Sequence, residues 1–150
     1  MQIQIGARIL AQIQKNGEDT YPEEGAGFIL GIDSVKKRIA HGIFQVQNSK
    51  ASSERHNRCL ITPQDFLQGE LAAEKNELEV IGVYHSHPDH PDQPSEFDKE
   101  WAMPWFSYVI TSVENGVAIS SRSWRLLDDR SGFKEEKIIS NVKEIGELKI

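Results

Sequence analysis

Apolar residues recur at helical spacing through Ile5, Ile9, Leu10 and Ile13, which predicts a helix from Ile5 to about Lys15. Asn16-Gly17 would end it, because both residues tolerate a left-handed backbone. Glu18 to Glu24 is a polar connection carrying Tyr21-Pro22. Ala26 to Gly31 is a continuous apolar run and reads as a buried strand. A turn over Asp33 to Lys37 leads to a second strand, Ile39 to Val46. Gln47 to Asn57 is polar and aperiodic, as a mobile loop would be.

Arg58 to Ile61 reads as a short strand. Thr62-Pro63 then opens a helix running at least to Lys75, with Thr as N-cap and Pro in the first turn. Phe66, Leu67, Leu71 and Leu78 mark its apolar face. Val80 to Tyr84 is a buried strand that runs straight into His85. Ser95 to about Met103 reads as a helix with Ser95 as N-cap and with Glu96 and Asp98 near the positive end of its dipole. Phe106 to Thr111, Val117 to Ser123 and Trp124 to Leu127 alternate like antiparallel strands, and Asn115-Gly116 is a hairpin signal between the first two. The stretch from Lys134 onward is a last strand or a short helix. These elements predict an α+β fold, and 150 residues suit one domain spanning 1–150.

Charge narrows the function classes. The net charge is −6, from 17 basic and 23 acidic residues, which disfavours non-specific attachment to nucleic acid. The densest basic cluster, Lys36-Lys37-Arg38, reads as part of a turn. No stretch approaches the ~20 apolar residues of a membrane span, and no signal-peptide pattern opens the chain. The single cysteine, Cys59, excludes an intrachain disulfide and fits a reducing compartment. The expectation is a cytoplasmic protein bound to neither nucleic acid nor membrane. Its oligomeric state is open.

The informative segment is His85-Ser86-His87-Pro88-Asp89-His90-Pro91-Asp92-Gln93-Pro94-Ser95-Glu96-Phe97-Asp98. Residues two apart on a strand project to the same face, so the imidazoles of His85 and His87 can share one metal. Asp98, on the first turn of the next helix, can swing its carboxylate back toward them. Two nitrogens and one oxygen leave a coordination position open, the pattern of a catalytic zinc site rather than a closed structural one. Pro88, Pro91 and Pro94 stiffen the connecting loop and so lower the entropy lost when metal binds. Ser95, one turn before Asp98, would place its hydroxyl near the open position. A hydrolase also needs a proton carrier. Glu24 is the best candidate, since it leads directly into the buried strand at Ala26.

This pattern, Glu24 followed by His85-x-His87 and Ser95-x-x-Asp98, resembles the JAMM motif of the MPN (Mov34/PAD-1) metallopeptidases. The stretches YPEEGAGFILG, ITPQDF and IGVYHSHPDHPDQPSEFD are similar to segments of that family in the same order, and the likeness runs roughly from Ile5 to Leu127. The resemblance implies an MPN-like fold: a mixed, mostly antiparallel curved sheet flanked by helices. It implies zinc on His85, His87 and Asp98, Glu24 as general base and then acid, and Ser95 steadying the oxyanion. The short stand-alone bacterial members are the most alike. The implied substrate is the Gly-Gly tail of a small ubiquitin-like sulfur-carrier protein, cut by peptide or isopeptide hydrolysis. Ala26 stands where many bacterial relatives carry cysteine. The chain is also short for the insertions with which eukaryotic deubiquitinating relatives grip ubiquitin.

Other residues read more plainly. His90 is expected to be solvated and Glu23 exposed beside Glu24. His41 and His56 are expected to be structural or solvent-facing, and Cys59 a small buried residue. Trp101, Trp105 and Phe106 are expected in the core, and Asp128-Asp129-Arg130 in a turn. Two competing functions share the pattern. A non-catalytic MPN scaffold would usually have lost a ligand or the glutamate. The DNA-repair-associated branch typically has Asn between the histidines, where this chain has Ser86.

Overall fold

The computed structural model of this chain describes residues 1–34, 37–47, 61–143 and 148. The aperiodic loop beyond Gln47, the short strand expected before Ile61, and Lys36, His56 and Cys59 lie outside the described residues. The elements are β1 (Gln2–Gln4), α1 (Ala7–Thr20), β2 (Ala26–Asp33), β3 (Arg38–Val46), α2 (Pro63–Lys75), β4 (Glu79–Pro88), α3 (Glu96–Trp101), β5 (Ser107–Glu114), β6 (Val117–Leu126) and β7 (Phe133–Ile139). Among the described residues this is an α+β fold of seven strands and three helices. No helix among them is long and apolar enough to cross a membrane.

The strands lie in the order β1-β3-β2-β4-β5-β6-β7, and β1 returns to β7, so the curved sheet closes into a barrel. Four pairings are antiparallel: β2–β3, β2–β4, β5–β6 and β6–β7. The central pair β4–β5 and both seams of β1 are parallel. Strand β2 is covered on both faces, which explains its unbroken apolar sequence. Ile29 joins Ile9 and Ile13 of α1, together with Ile81 and Tyr84. Phe28 and Leu30 join Val83 and Tyr108 on the other face, where α2 packs.

Several elements differ from expectation for identifiable reasons. Ile5 precedes the first helix, and α1 runs on through Asn16 and Gly17 to Thr20. Both expected terminators are buried. Gly17 is where α1 presses on the sheet, and a Cβ there would come within 3.0 Å of the Ser86 Cβ and 3.1 Å of Val113. Helix α2 starts as expected: the Thr62 hydroxyl accepts from Asp65 N–H, and the Asp65 carboxylate accepts from Thr62 N–H. Such a reciprocal cap is worth about 1 kcal/mol. Its buried face, however, is Gly69 and Ala73, while Leu67 and Leu71 are half exposed. Phe66 does pack inward, 4.9 Å from the Phe28 ring and 5.9 Å from Phe106. The two strands expected over Val117 to Leu127 form one, β6. The uncertain segment from Lys134 is a strand, β7. Asp128 to Arg130 does form a turn, closed by Arg130 N–H on the Leu127 carbonyl.

A chain of polar groups, most of them buried, links the strands. Arg38 reaches the Asp33 carboxylate at 2.8 Å and the Ser107 hydroxyl at 2.9 Å. The same hydroxyl accepts from Arg125 Nε at 3.2 Å. Arg125 pairs with Glu136 at 2.6 Å, and Ser123 donates to that carboxylate at 2.8 Å. Glu136 is fully buried. This chain joins β2, β3, β5, β6 and β7 with side chains as well as backbone.

Candidate metal centre

Strand β4 carries the centre because its register puts both histidines on one face. Ala26 lies across from His85 on β2. Between the two histidines, Ser86 faces the other way: its hydroxyl accepts from Gly25 N–H at 2.8 Å, and its N–H donates to the Gly25 carbonyl at 3.0 Å. Carrying this antiparallel register two residues back brings Glu24 across from His87. Glu24 is half-buried and lines one cleft with His87, Pro88 and Ser95. Glu23 is half-buried as well, rather than exposed.

Asp98 arrives on α3. The Ser95 hydroxyl accepts from Asp98 N–H at 3.1 Å, while Ser95 N–H donates to Asp98 Oδ2 at 2.8 Å. This capping box fixes both the start of the helix and the direction of the carboxylate. Arg130 holds the other end, donating to the carbonyls of Ala102 at 2.9 Å and Lys99 at 3.1 Å. The local sequence around Arg130 predicts only a turn. Its use as a helix C-cap follows from a distant contact that no local pattern announces.

The three side chains meet. His85 Nε2 and His87 Nε2 are 3.2 Å apart, His85 Nε2 is 3.1 Å from Asp98 Oδ1, and His87 Nε2 is 3.2 Å from Asp98 Oδ2. Ligands about 2.0 Å from a tetrahedral zinc lie about 3.3 Å from one another, and the two nitrogens, and each nitrogen with one of the two Asp98 oxygens, are spaced to match. These three residues form a group able to hold a metal ion. Both imidazoles are buried. Burial works against ionising Asp98. His85, by its charge and its hydrogen bond, and the Ser95 backbone N–H outweigh it and hold the carboxyl well below the usual carboxylate range.

A second, apolar groove of about 480 Å³ is walled by Phe66, Leu67, Phe97, Trp101, Met103 and Tyr108 and reaches His85 and Asp98. Trp101 is 56% exposed and Trp105 61%, so the expectation that both lie in the core is corrected. Helix α3 is too short to bury Trp101, which instead lines this groove beside Phe97. Phe106 does pack inward, between Phe66 and Tyr108. His90 is exposed, as expected.

Tyr108 gives the groove a measurable signature. Burial pushes its phenol up to about 12, although the Met103 N–H on its oxygen and nearby Arg130 pull the other way. An unfolded tyrosine titrates near 10, so the native state keeps a proton that the unfolded chain loses. The associated stability is present below pH ~10 and is lost as pH rises through ~12, about 2–3 kcal/mol in all. Unfolding titrations of wild type and Tyr108→Phe should show a steeper alkaline loss in wild type; parallel curves would count against it.

Residues 6–127 match the family described as prokaryotic homologs of the JAB domain. This chain belongs to that family. The JAB domain is 28% identical over 116 residues to a desampylase of Pyrococcus furiosus, a match covering 77% of this chain and 75% of that protein. Among solved structures it resembles a protein from Salinibacter ruber, with 37% identity and a TM-score of 0.74 over 98% of this chain and 96% of that one. A JAB1/MPN domain protein from Archaeoglobus fulgidus shares the fold, with a TM-score of 0.56 and 18% identity over 93% of this chain and 100% of that one. The MPN-like fold implied by the motif is thus present.

Proposed function

We propose that this JAB domain is a zinc-dependent hydrolase that cuts the peptide or isopeptide bond following the C-terminal Gly-Gly of a ubiquitin-like sulfur-carrier protein. The observation carrying this reading is the His85–His87–Asp98 group, whose nitrogen–nitrogen and nitrogen–oxygen spacings suit a tetrahedral ion and which sits beside a cleft that holds Glu24 and Ser95. The likeness to a desampylase supports a ubiquitin-like substrate.

In this reading His85, His87 and Asp98 hold the ion. Zinc supplies Lewis acidity, polarising a carbonyl and bringing the ionisation of water from ~15.7 toward ~7. Glu24 accepts the proton released as water attacks the scissile carbonyl carbon, then delivers it to the departing amine. The Ser95 oxygen is engaged as an acceptor by Asp98 N–H, which leaves its hydroxyl hydrogen to be donated. Donated to the tetrahedral oxyanion, such a bond contributes ~3 kcal/mol. The apolar groove takes an apolar stretch of the partner, and the glycines pass the metal because they have no side chains to exclude. A reducing cytoplasm suits a chain with one cysteine.

Zinc-loaded protein incubated with candidate Gly-Gly-tailed carrier fusions should yield the trimmed carrier by intact mass. His87→Ala should lower zinc stoichiometry and stop the cleavage. Full zinc retention in that variant, or no cleavage of any Gly-Gly fusion by loaded wild type, would sink the proposal.

A further inference from the structure

The loop joining the histidine pair to Asp98 is fastened to β5 and β6 at successive residues. Asp89 accepts from Asn115 N–H at 3.0 Å and from the Tyr21 hydroxyl at 2.6 Å. The Ser112 hydroxyl donates to the His90 carbonyl at 2.6 Å. The Trp124 indole N–H donates to the Asp92 carbonyl at 3.0 Å. The Asp92 carboxylate is buried and faces the Arg122 guanidinium at 3.4 Å. Between these anchors, the Pro91 carbonyl lies 2.8 Å from Nδ1 of His87.

That contact has one chemical meaning. A carbonyl only accepts, so Nδ1 of His87 carries the hydrogen. In the neutral ring Nε2 then keeps its lone pair, and Nε2 is the atom in the ligand triangle. Such outer hydrogen bonds fix the tautomer and aim of a metal-binding imidazole.

We propose that Ser112 and Trp124, supported by the Arg122–Asp92 pair, are positioning residues that hold the Pro91 carbonyl against His87 and thereby fix its tautomer and orientation. The metal role of His87 rests on the function proposed above, whereas the tautomer does not. None of these residues touches the reacting atoms. Ser112 lies on β5 and Trp124 on β6, so the barrel wall sets the aim of a ring on β4 through a loop carbonyl.

The test compares wild type with Ser112→Ala and Trp124→Phe, the latter keeping the aromatic body while losing the N–H. Long-range proton–nitrogen correlation of the histidine rings reads the tautomer in metal-free protein. Competition with a chromophoric chelator reads zinc affinity. Wild type should show a single His87 form with hydrogen on Nδ1. Both variants should show mixed tautomers and bind zinc about 10- to 100-fold more weakly. A merely structural role would lower the melting temperature and leave the tautomer alone, so an unchanged Nδ1–H form in both variants overturns the proposal. So would zinc affinity within about twofold of wild type in both, well short of the loss expected when an outer hydrogen bond to a metal-binding imidazole is removed. If wild type binds no zinc yet keeps the single tautomer that both variants lose, the positioning role stands and the metal reading falls.

Discussion

Glu24→Gln is expected to keep its zinc and to lose hydrolysis by about 10²- to 10⁴-fold, the usual contribution of a positioned proton carrier. The reasoning is geometric. Glu24 lies across from His87 by the register that pairs Ala26 with His85, and it shares a cleft with His87 and Ser95. It is outside the triangle of ligand atoms, so its charge can be removed without removing a ligand. Glutamine has almost the same shape but cannot take up a proton at neutral pH. Single-turnover cleavage followed by intact mass, with metal content measured on the same samples, separates the two effects. Glu23→Gln serves as the control and should cleave normally. Turnover unchanged in Glu24→Gln and lost in Glu23→Gln would reassign the proton carrier to the neighbouring carboxylate.

The second large effect concerns stability. Arg125→Met should destabilise the fold by about 3–5 kcal/mol, because it strands a buried charge. Glu136 is fully buried, and the contact with Arg125 at 2.6 Å is its ionic partner. The Ser123 hydroxyl that remains is a neutral donor and cannot replace a guanidinium. Domains of this kind are stable by only about 5–15 kcal/mol, so the midpoint of denaturant unfolding should fall clearly. Arg125→Met combined with Glu136→Met removes both charges and should recover much of the loss. A single variant as stable as the double one would show that water or another group satisfies Glu136.

The meeting of His85, His87 and Asp98 was legible because its signal is local. His85 and His87 share a face through strand parity, and Ser95 and Asp98 are linked by a capping pattern that spans one turn. Thr62-Pro63 was readable for the same reason. Signals settled by distant partners were not. Asn16-Gly17 has the chemistry of a helix end, yet contact with β4 and β5 keeps it helical. Glu136 sits in the run Phe133 to Ile139 (FKEEKII), whose charges resemble a solvated surface; its partners Arg125 and Ser123, on a neighbouring strand, make its burial tolerable. Leu67 and Leu71 fit an inward helix face by spacing, but α2 meets the sheet through small residues, Gly69 and Ala73, and turns the leucines outward. Strand β1 is three residues long, too short for any period to register.

That short strand has a consequence for how the molecule is made. Its residues Gln2, Ile3 and Gln4 lie beside Lys137, Ile138 and Ile139, and Gln4 also lies beside Ile39. On the ribosome, then, β1 must wait for β7 before the cylinder can seal. Until Ile139 is available, β3 and β6 each present a bare flank that a neighbouring nascent chain could pair with. Contacts so far apart in sequence also form slowly. The centre on β4 would therefore be assembled inside an unsealed wall, leaving its permanent shape to the arrival of β7.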